Sequence, residues 1–178
     1  MVLQVCGNNP TGCDPTSEEW LRIASVFKSK QHFAFLDLSY PGFVSGNLEQ
    51  DCKPVRLFAS SEIPLLLATT YGKAFGLYGE RVGHLSIPLP NNEVAMRVEQ
   101  QMKLLARAET GAQPRFGAQL VANILQDPDL KRVWEQELRH IAQDLIERRQ
   151  RLENELCLQD NTMDWSFVTK QAGMFLQV

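Results

Sequence analysis

The sequence predicts an α/β protein: a partial doubly wound, mostly parallel sheet of three parallel strands plus one antiparallel strand, followed by long helices and the start of a smaller α+β domain. Three observations lead there. Short apolar, β-prone runs alternate with amphipathic helical segments, and the connections between the first three runs are long enough for parallel crossovers. Each of those runs stops at a cluster of turn-forming residues. The fourth run follows the third too closely for a crossover, so it should return antiparallel.

The elements follow in order. Met1 to Cys6 (MVLQVC) is a β-prone run that breaks at Gly7-Asn8-Asn9-Pro10-Thr11-Gly12. Thr16-Ser17-Glu18-Glu19 reads as a capping box, with Thr16 as N-cap and Glu19 three residues on. Trp20, Ile23, Ala24 and Phe27 then recur at helical spacing, so a helix is expected from about Ser17 to Lys30. Phe33 to Leu36 is a continuous apolar run ending in Asp37-Leu38-Ser39-Tyr40-Pro41-Gly42. Leu48 to Ala59 is a weaker helical segment interrupted by Pro54. Ile63 to Thr69 is a third strand, apolar throughout as expected of one covered on both faces. Val82 to Ile87 is the fourth.

Helices are predicted over Val94 to Ala108, Phe116 to Leu125, and Leu130 to about Leu158. In the last, Leu130, Trp134, Leu138, Ile141, Leu145, Leu152 and Leu156 recur at intervals of three, four or seven. The competing reading is a coiled-coil arm, but Arg148 and Arg149 fall where the stripe should continue, which favours a helix packed on the domain. Trp165 to Val168 and Gly173 to Val178 read as two short strands.

Composition narrows the function classes. With 44% hydrophobic and 22% charged residues, the chain can bury a core and is not disordered. Eighteen basic against 21 acidic residues give a net charge of −3 without a basic stripe, so no nucleic-acid partner is expected. No apolar segment reaches a bilayer span and the N-terminus lacks the order of a signal peptide, so neither a membrane nor export is expected. Cys6, Cys13, Cys52 and Cys157 fit neither a zinc motif nor a disulfide framework; they read as reduced thiols in a cytosol-like compartment.

In an open parallel sheet, ligands bind outside the carboxyl ends of the strands. Three successive strands end in Asn9, in Asp37 with Tyr40, and in Thr70 with Lys73, and Arg81 opens the strand that returns to that edge. Singly, each has a plainer explanation: Asn9 a turn, Asp37 a cap, Tyr40 a core aromatic, Arg81 a surface partner of Glu80, Lys73 an ordinary surface lysine. Their convergence on one edge points to a site.

The motifs NNPTGCDPT (Asn8 to Thr16), LDLSYPGF (Leu36 to Phe43) and TYGKAFGLYGERVG (Thr70 to Gly83) resemble the signatures of the pyridoxal-phosphate aminotransferases of the aspartate and aromatic class. QMKLLAR, FGAQLVANIL and QAGMF continue the likeness in the same order. The resemblance implies pyridoxal 5'-phosphate as cofactor, with Lys73 forming the internal Schiff base. It also implies that Asp37 pairs with the pyridine nitrogen, that Asn9 and Tyr40 contact the ring hydroxyl, and that Thr70 and Arg81 hold the phosphate. Arg107 aligns with the arginine that reaches across the family dimer to a substrate's distal carboxylate; a solvated arginine near a helix C-terminus is the competing reading. A cis Asn9-Pro10 bond is implied as well.

By the same resemblance, residues 1–128 are part of a large cofactor-binding domain and 129–178 a connecting helix with the start of a small domain. The expected activity is transamination between aspartate or an aromatic amino acid and a 2-oxo acid, in a homodimer, in the cytoplasm or the mitochondrion. The family's N-terminal phosphate loop and ring-stacking aromatic would precede this sequence, and its α-carboxylate arginine would follow it. Thr70, Gly72 and Gly111-Ala112-Gln113 depart from the usual family residues. An inactive relic or interaction module keeping the lysine motif is the alternative.

Overall fold

The structure, a computed structural model, describes residues 1–177. Four strands lie side by side in chain order: β1 (Val2–Gln4), β2 (Ala34–Leu38), β3 (Leu65–Thr70) and β4 (Gly83–Ser86). β1, β2 and β3 run parallel and β4 runs antiparallel to β3, as the connection lengths require.

The crossover from β1 is α1 (Ser17–Ser29), which begins with the expected capping box: Thr16 Oγ1 accepts from the Glu19 N–H, and the Glu19 carboxylate accepts from the Thr16 N–H. The crossover from β2 is α2 (Leu48–Asp51) and α3 (Lys53–Ser60). The chain breaks at Cys52, and Pro54 sits in the first turn of α3, where a missing N–H removes no helical bond. Trp20 and Phe27 of α1 meet the Phe58 ring edge-on at 6.0 and 5.3 Å. Beneath them Ala34, Leu36 and Leu38 are buried, one face of β2 by the period-two rule.

The opposite face is less covered. Phe35 and Asp37 are half-buried, and in β3 only Leu65 is buried while Leu66 to Thr70 are half-buried. That corrects the expectation of a strand enclosed on both faces. Apolarity shows that a strand can be buried; which layers cover it depends on elements distant in sequence.

Beyond β4 come α4 (Asn92–Thr110), α5 (Phe116–Gln126), α6 (Pro128–Gln159) and α7 (Phe167–Lys170). α6 packs on the body, and its buried seam runs through Trp134, Leu138, Ala142, Leu145 and Arg149. Ile141, assigned to the stripe from sequence, is 43% exposed, and Arg149, taken as its interruption, is 9% exposed and completes it. Leu138 joins Tyr40, Phe43 and Ala74 in a second core, flanked by Trp134, Phe75 and Phe175. Among the described residues no helix is long and apolar enough to cross a membrane.

Two segments differ from expectation. Trp165 to Val168 is not a strand: Asp164 accepts from the Ser166 N–H, and Phe167 to Lys170 close one helical turn, so local side-chain bonding overrides β-prone residue types. Residues 173–177 form no strand either, and Val178 lies outside the described residues. Their backbone groups are taken by side chains instead. Arg149 donates to the carbonyls of Val168 (3.1 Å), Gly173 (3.0 Å) and Phe175, and Gln171 exchanges two 2.8 Å bonds with Gln177.

Candidate active site

β3 delivers the lysine. After Thr70 the chain closes a tight turn in which the Phe75 N–H donates to the Tyr71 carbonyl (3.2 Å) and the Gly76 N–H to the Lys73 carbonyl (3.0 Å). Lys73 is half-buried, its Nζ 5.0 Å from the centroid of the Tyr40 ring and 5.5 Å from that of Tyr78. Both are within reach of a cation–π attraction. The turn is held from two sides. The Tyr71 hydroxyl bonds His84 Nδ1 of β4 at 2.7 Å, and the indole N–H of Trp134 donates to the Ala74 carbonyl at 2.7 Å. Burial pushes the Tyr71 phenol up and pulls the His84 imidazole down, so this pair is neutral near pH 7.

β2 delivers the carboxylate. Asp37 lies opposite Gln4 of β1 and Ala68 of β3, in the middle of the parallel strands. Its Oδ1 accepts from the Ser39 hydroxyl at 2.5 Å, and Oδ2 has no partner among the described residues. Tyr40 follows at the strand end, buried, with Phe175 edge-on to its ring at 5.3 Å. Among the described residues its hydroxyl makes no hydrogen bond.

The loops beyond both strands are fixed by two carboxylates that the sequence reading passed over. Asp14 accepts from the N–H groups of Gly7 (2.7 Å) and Asn8 (2.9 Å), fixing the turn that carries Asn9. Asp51, 5% exposed, accepts from the N–H of Gly42 (2.8 Å) and from the N–H and hydroxyl of Ser45 (3.2 and 2.6 Å), fixing the loop after Tyr40. An Asp six to nine residues after the N–H groups of a glycine-containing turn was the available signal. Asn9 itself is exposed, its N–H held by Gln4 Oε1 at 2.7 Å, and the Asn9-Pro10 bond is cis. The C-terminal segment closes on this turn: a Cβ at Gly12 would lie 2.6 Å from the Phe175 carbonyl, and one at Gly173 3.2 Å from the Gly7 Cα.

Arg81 is exposed and left-handed (φ 52°), with its guanidinium 5.7 Å over the Tyr78 ring and one 3.4 Å bond to the Tyr78 carbonyl. Its charge has no carboxylate partner among the described residues. The Thr70 hydroxyl accepts from the Gly72 N–H at 3.2 Å and lies 3.5 Å from the Val82 carbonyl, which leaves its own proton weakly engaged.

Lys73 and Arg81 thus share the Tyr78 ring, which had no role in the expected site, and Lys73 also faces Tyr40, while Asp37 lies between the parallel strands and Thr70 ends β3 opposite Gly83 of β4. Arg107 is not among them. It lies on α4, a helix without a buried residue, and is exposed. A cavity of about 410 Å³ between α1 and α3, lined by Val5, Cys6, Trp20 and Leu57 among others, contains none of these groups. Burial raises the Cys6 thiol there, with Asp51 and Asp14 adding to the effect, so it is inert rather than nucleophilic.

Among the described residues, the arrangement is an amine, a carboxylate with one oxygen unpartnered, a phenol without a hydrogen bond and a guanidinium without a carboxylate partner, all at or near the carboxyl ends of β2 and β3. Comparison with known proteins gives it a context. Residues 1–178 match the family described as aminotransferase class I and II. Aspartate aminotransferase 1 of Medicago sativa is 45% identical over 175 residues, which are 98% of this chain and 42% of the relative. The cytoplasmic aspartate aminotransferase of Oryza sativa subsp. japonica is 43% identical over 175 residues, 98% of this chain and 43% of the relative. Other relatives carry mitochondrial and chloroplastic names. Among solved structures, the aromatic-amino-acid aminotransferase of Burkholderia pseudomallei, covalently bound to pyridoxal phosphate, superposes with a TM-score of 0.95 at 36% identity, covering 98% of this chain and 44% of that one. The chain spans about two fifths of the length of the curated relatives it matches.

Proposed function

Because the chain belongs to the class I and II aminotransferases, we propose that it carries the lysine side of a pyridoxal-phosphate transaminase site, acting on aspartate or an aromatic amino acid and a 2-oxo acid. The observation that carries this reading is the Lys73 amine held over Tyr40, beside a strand whose Asp37 keeps a carboxylate oxygen free. The donor set suits the cofactor: a primary amine for its aldehyde, an anion for its ring nitrogen, a phenol for its ring hydroxyl, and a guanidinium for its phosphate.

Pyridoxal 5'-phosphate, when bound, supplies an electron sink for the carbon next to the amino nitrogen. Asp37 holds the proton on the ring nitrogen, since a carboxylate there favours the charged form. Tyr40 and Asn9 donate hydrogen bonds to the ring oxygen. Arg81 binds the phosphate with a fork that stays charged, and Thr70 adds its weakly engaged hydroxyl. Lys73 would anchor the cofactor through its amine and would be the group placed to take the proton from the substrate α-carbon.

In this reading residues 1–128 belong to the cofactor-binding domain, and 129–178 form the connecting helix and the start of the small domain. The protein acts as a homodimer, in keeping with α4, which carries exposed Met96, Leu104 and Leu105 beside Arg107. Arg107 is then presented to the partner's substrate rather than to Lys73 of its own chain. Four free cysteines suit a reducing compartment such as the cytosol or the mitochondrial matrix.

The test is an absorbance spectrum with pyridoxal phosphate, then borohydride reduction and peptide mapping. An imine band with the label on Lys73, lost in Lys73→Ala, is expected. Label scattered over several lysines overturns the site.

A further inference from the structure

Around Lys73 three carbonyls are held, and they are held differently. Those of Tyr71 and Lys73 are taken by N–H groups inside the same turn, at 3.2 and 3.0 Å. The third, on Ala74, is taken by the indole N–H of Trp134, 60 residues along the chain, at 2.7 Å. The Trp134 ring also stacks on Phe75 at 4.4 Å and 20°. Ala74 is 8% exposed, so its carbonyl has little access to water as an alternative. Before the lysine, Tyr71 ties the turn to β4; after it, the indole bond is the polar tie to α6.

We propose that Trp134 is a positioning residue for Lys73: its indole N–H, by holding the Ala74 carbonyl, fixes the turn so that the lysine amine sits over Tyr40. The importance of this for transamination rests on reading Lys73 as the cofactor lysine, but the hold on the amine does not. α6 thereby takes part in the site without touching cofactor or substrate. Tied to β4 at Tyr71 alone, the residues after it could rock about that point; the indole bond removes that freedom.

The decisive measurement needs no cofactor. The full chain is methylated with formaldehyde and cyanoborohydride, and the rate at Lys73 is read by peptide mapping against exposed Lys28 and Lys53 in the same digest. In Trp134→Phe, which keeps a ring against Phe75 and loses the N–H, the relative rate at Lys73 is expected to rise about fivefold, the effect of one lost hydrogen bond. Phe75→Leu, which keeps the indole bond, should stay within twofold of the unsubstituted chain. A Trp134→Phe rate within twofold, or a Phe75→Leu rate raised as far as that of Trp134→Phe, overturns the proposal. Buried Cys6 reports folding by remaining closed to a thiol reagent. If Trp134→Phe fails to fold, hydrogen exchange of the Trp134 indole proton in the unsubstituted chain decides: protection supports the bond, and exchange at the rate of free tryptophan overturns it. Scattered pyridoxal phosphate label would overturn the cofactor reading alone, while the methylation rates still answer for Trp134.

Discussion

At the scale of single residues, the side chains proposed for the site were marked by their motifs, and the residues that support them were not. Asn9, Asp37, Tyr40, Thr70, Lys73 and Arg81 sit in motifs at strand ends, where the position in the sheet marks them. Arg149 looked like a defect in an apolar stripe, because a guanidinium bound to three carbonyls has no local signature. Replacing it by Met leaves those carbonyls without a donor in a buried place, so Arg149→Met should cost about 2–4 kcal/mol in urea unfolding. Trypsin should then cut faster at Lys170, within the segment it clamps. Asp51→Asn loses the charge and one acceptor facing the Gly42 and Ser45 N–H groups, at a cost of about 1–3 kcal/mol by the same measurement. His84 gives a pH dependence. Burial lowers its value from the ordinary 6.5, so the unfolded chain binds the proton more readily than the folded one. The stability it contributes is complete above about pH 6.5 and is lost as the pH falls through the lowered value. Unfolding midpoints between pH 7 and 5 should therefore drop more in the unsubstituted chain than in His84→Gln.

At the scale of elements, legibility followed the range of the signals. α1 was readable to within a residue because its start is a four-residue pattern and its buried face repeats every third or fourth position. β4 was readable as antiparallel from the length of one connection. Trp165 to Val168 was misread because the Asp164 bond to the Ser166 N–H favours a helical turn, and the piece at 173–177 because its backbone groups are taken by Gln171 and, from across the fold, by Arg149. β3 was half misread because a strand's neighbours in the third dimension leave no trace in its own residues. The local case can be tested directly. Thr16→Ala removes the acceptor for the Glu19 N–H and keeps the backbone N–H from which the Glu19 carboxylate accepts, and should cost about 1 kcal/mol by thermal or urea unfolding. The Glu19 carboxyl is held below its ordinary range by the Thr16 N–H, so the box is intact at neutral pH and lost on acidification as that carboxylate protonates.

At the scale of the whole molecule, the distribution of exposed apolar surface bears on assembly. α1, α3 and α6 between Trp134 and Arg149 bury one face each, whereas α4 extends through 19 residues without a buried side chain and still carries Met96, Leu104 and Leu105 at 62%, 64% and 56% exposure. A helix so placed has little intrinsic reason to persist alone, since most helical stability comes from packing an apolar stripe. The homodimer proposed above gives α4 that packing and at the same time brings Arg107 toward the second copy. β1 offers a competing contact, because its outer edge is unpaired and Met1 and Val2 are 68% and 66% exposed. Sedimentation equilibrium separates the two. The unsubstituted chain should sediment at twice its 20.2 kDa, and Leu104→Glu should return it to a single mass by placing a charge in the contact. If Val2→Lys returns the monomer and Leu104→Glu does not, the copies meet along the sheet edge, and Arg107 is left facing solvent.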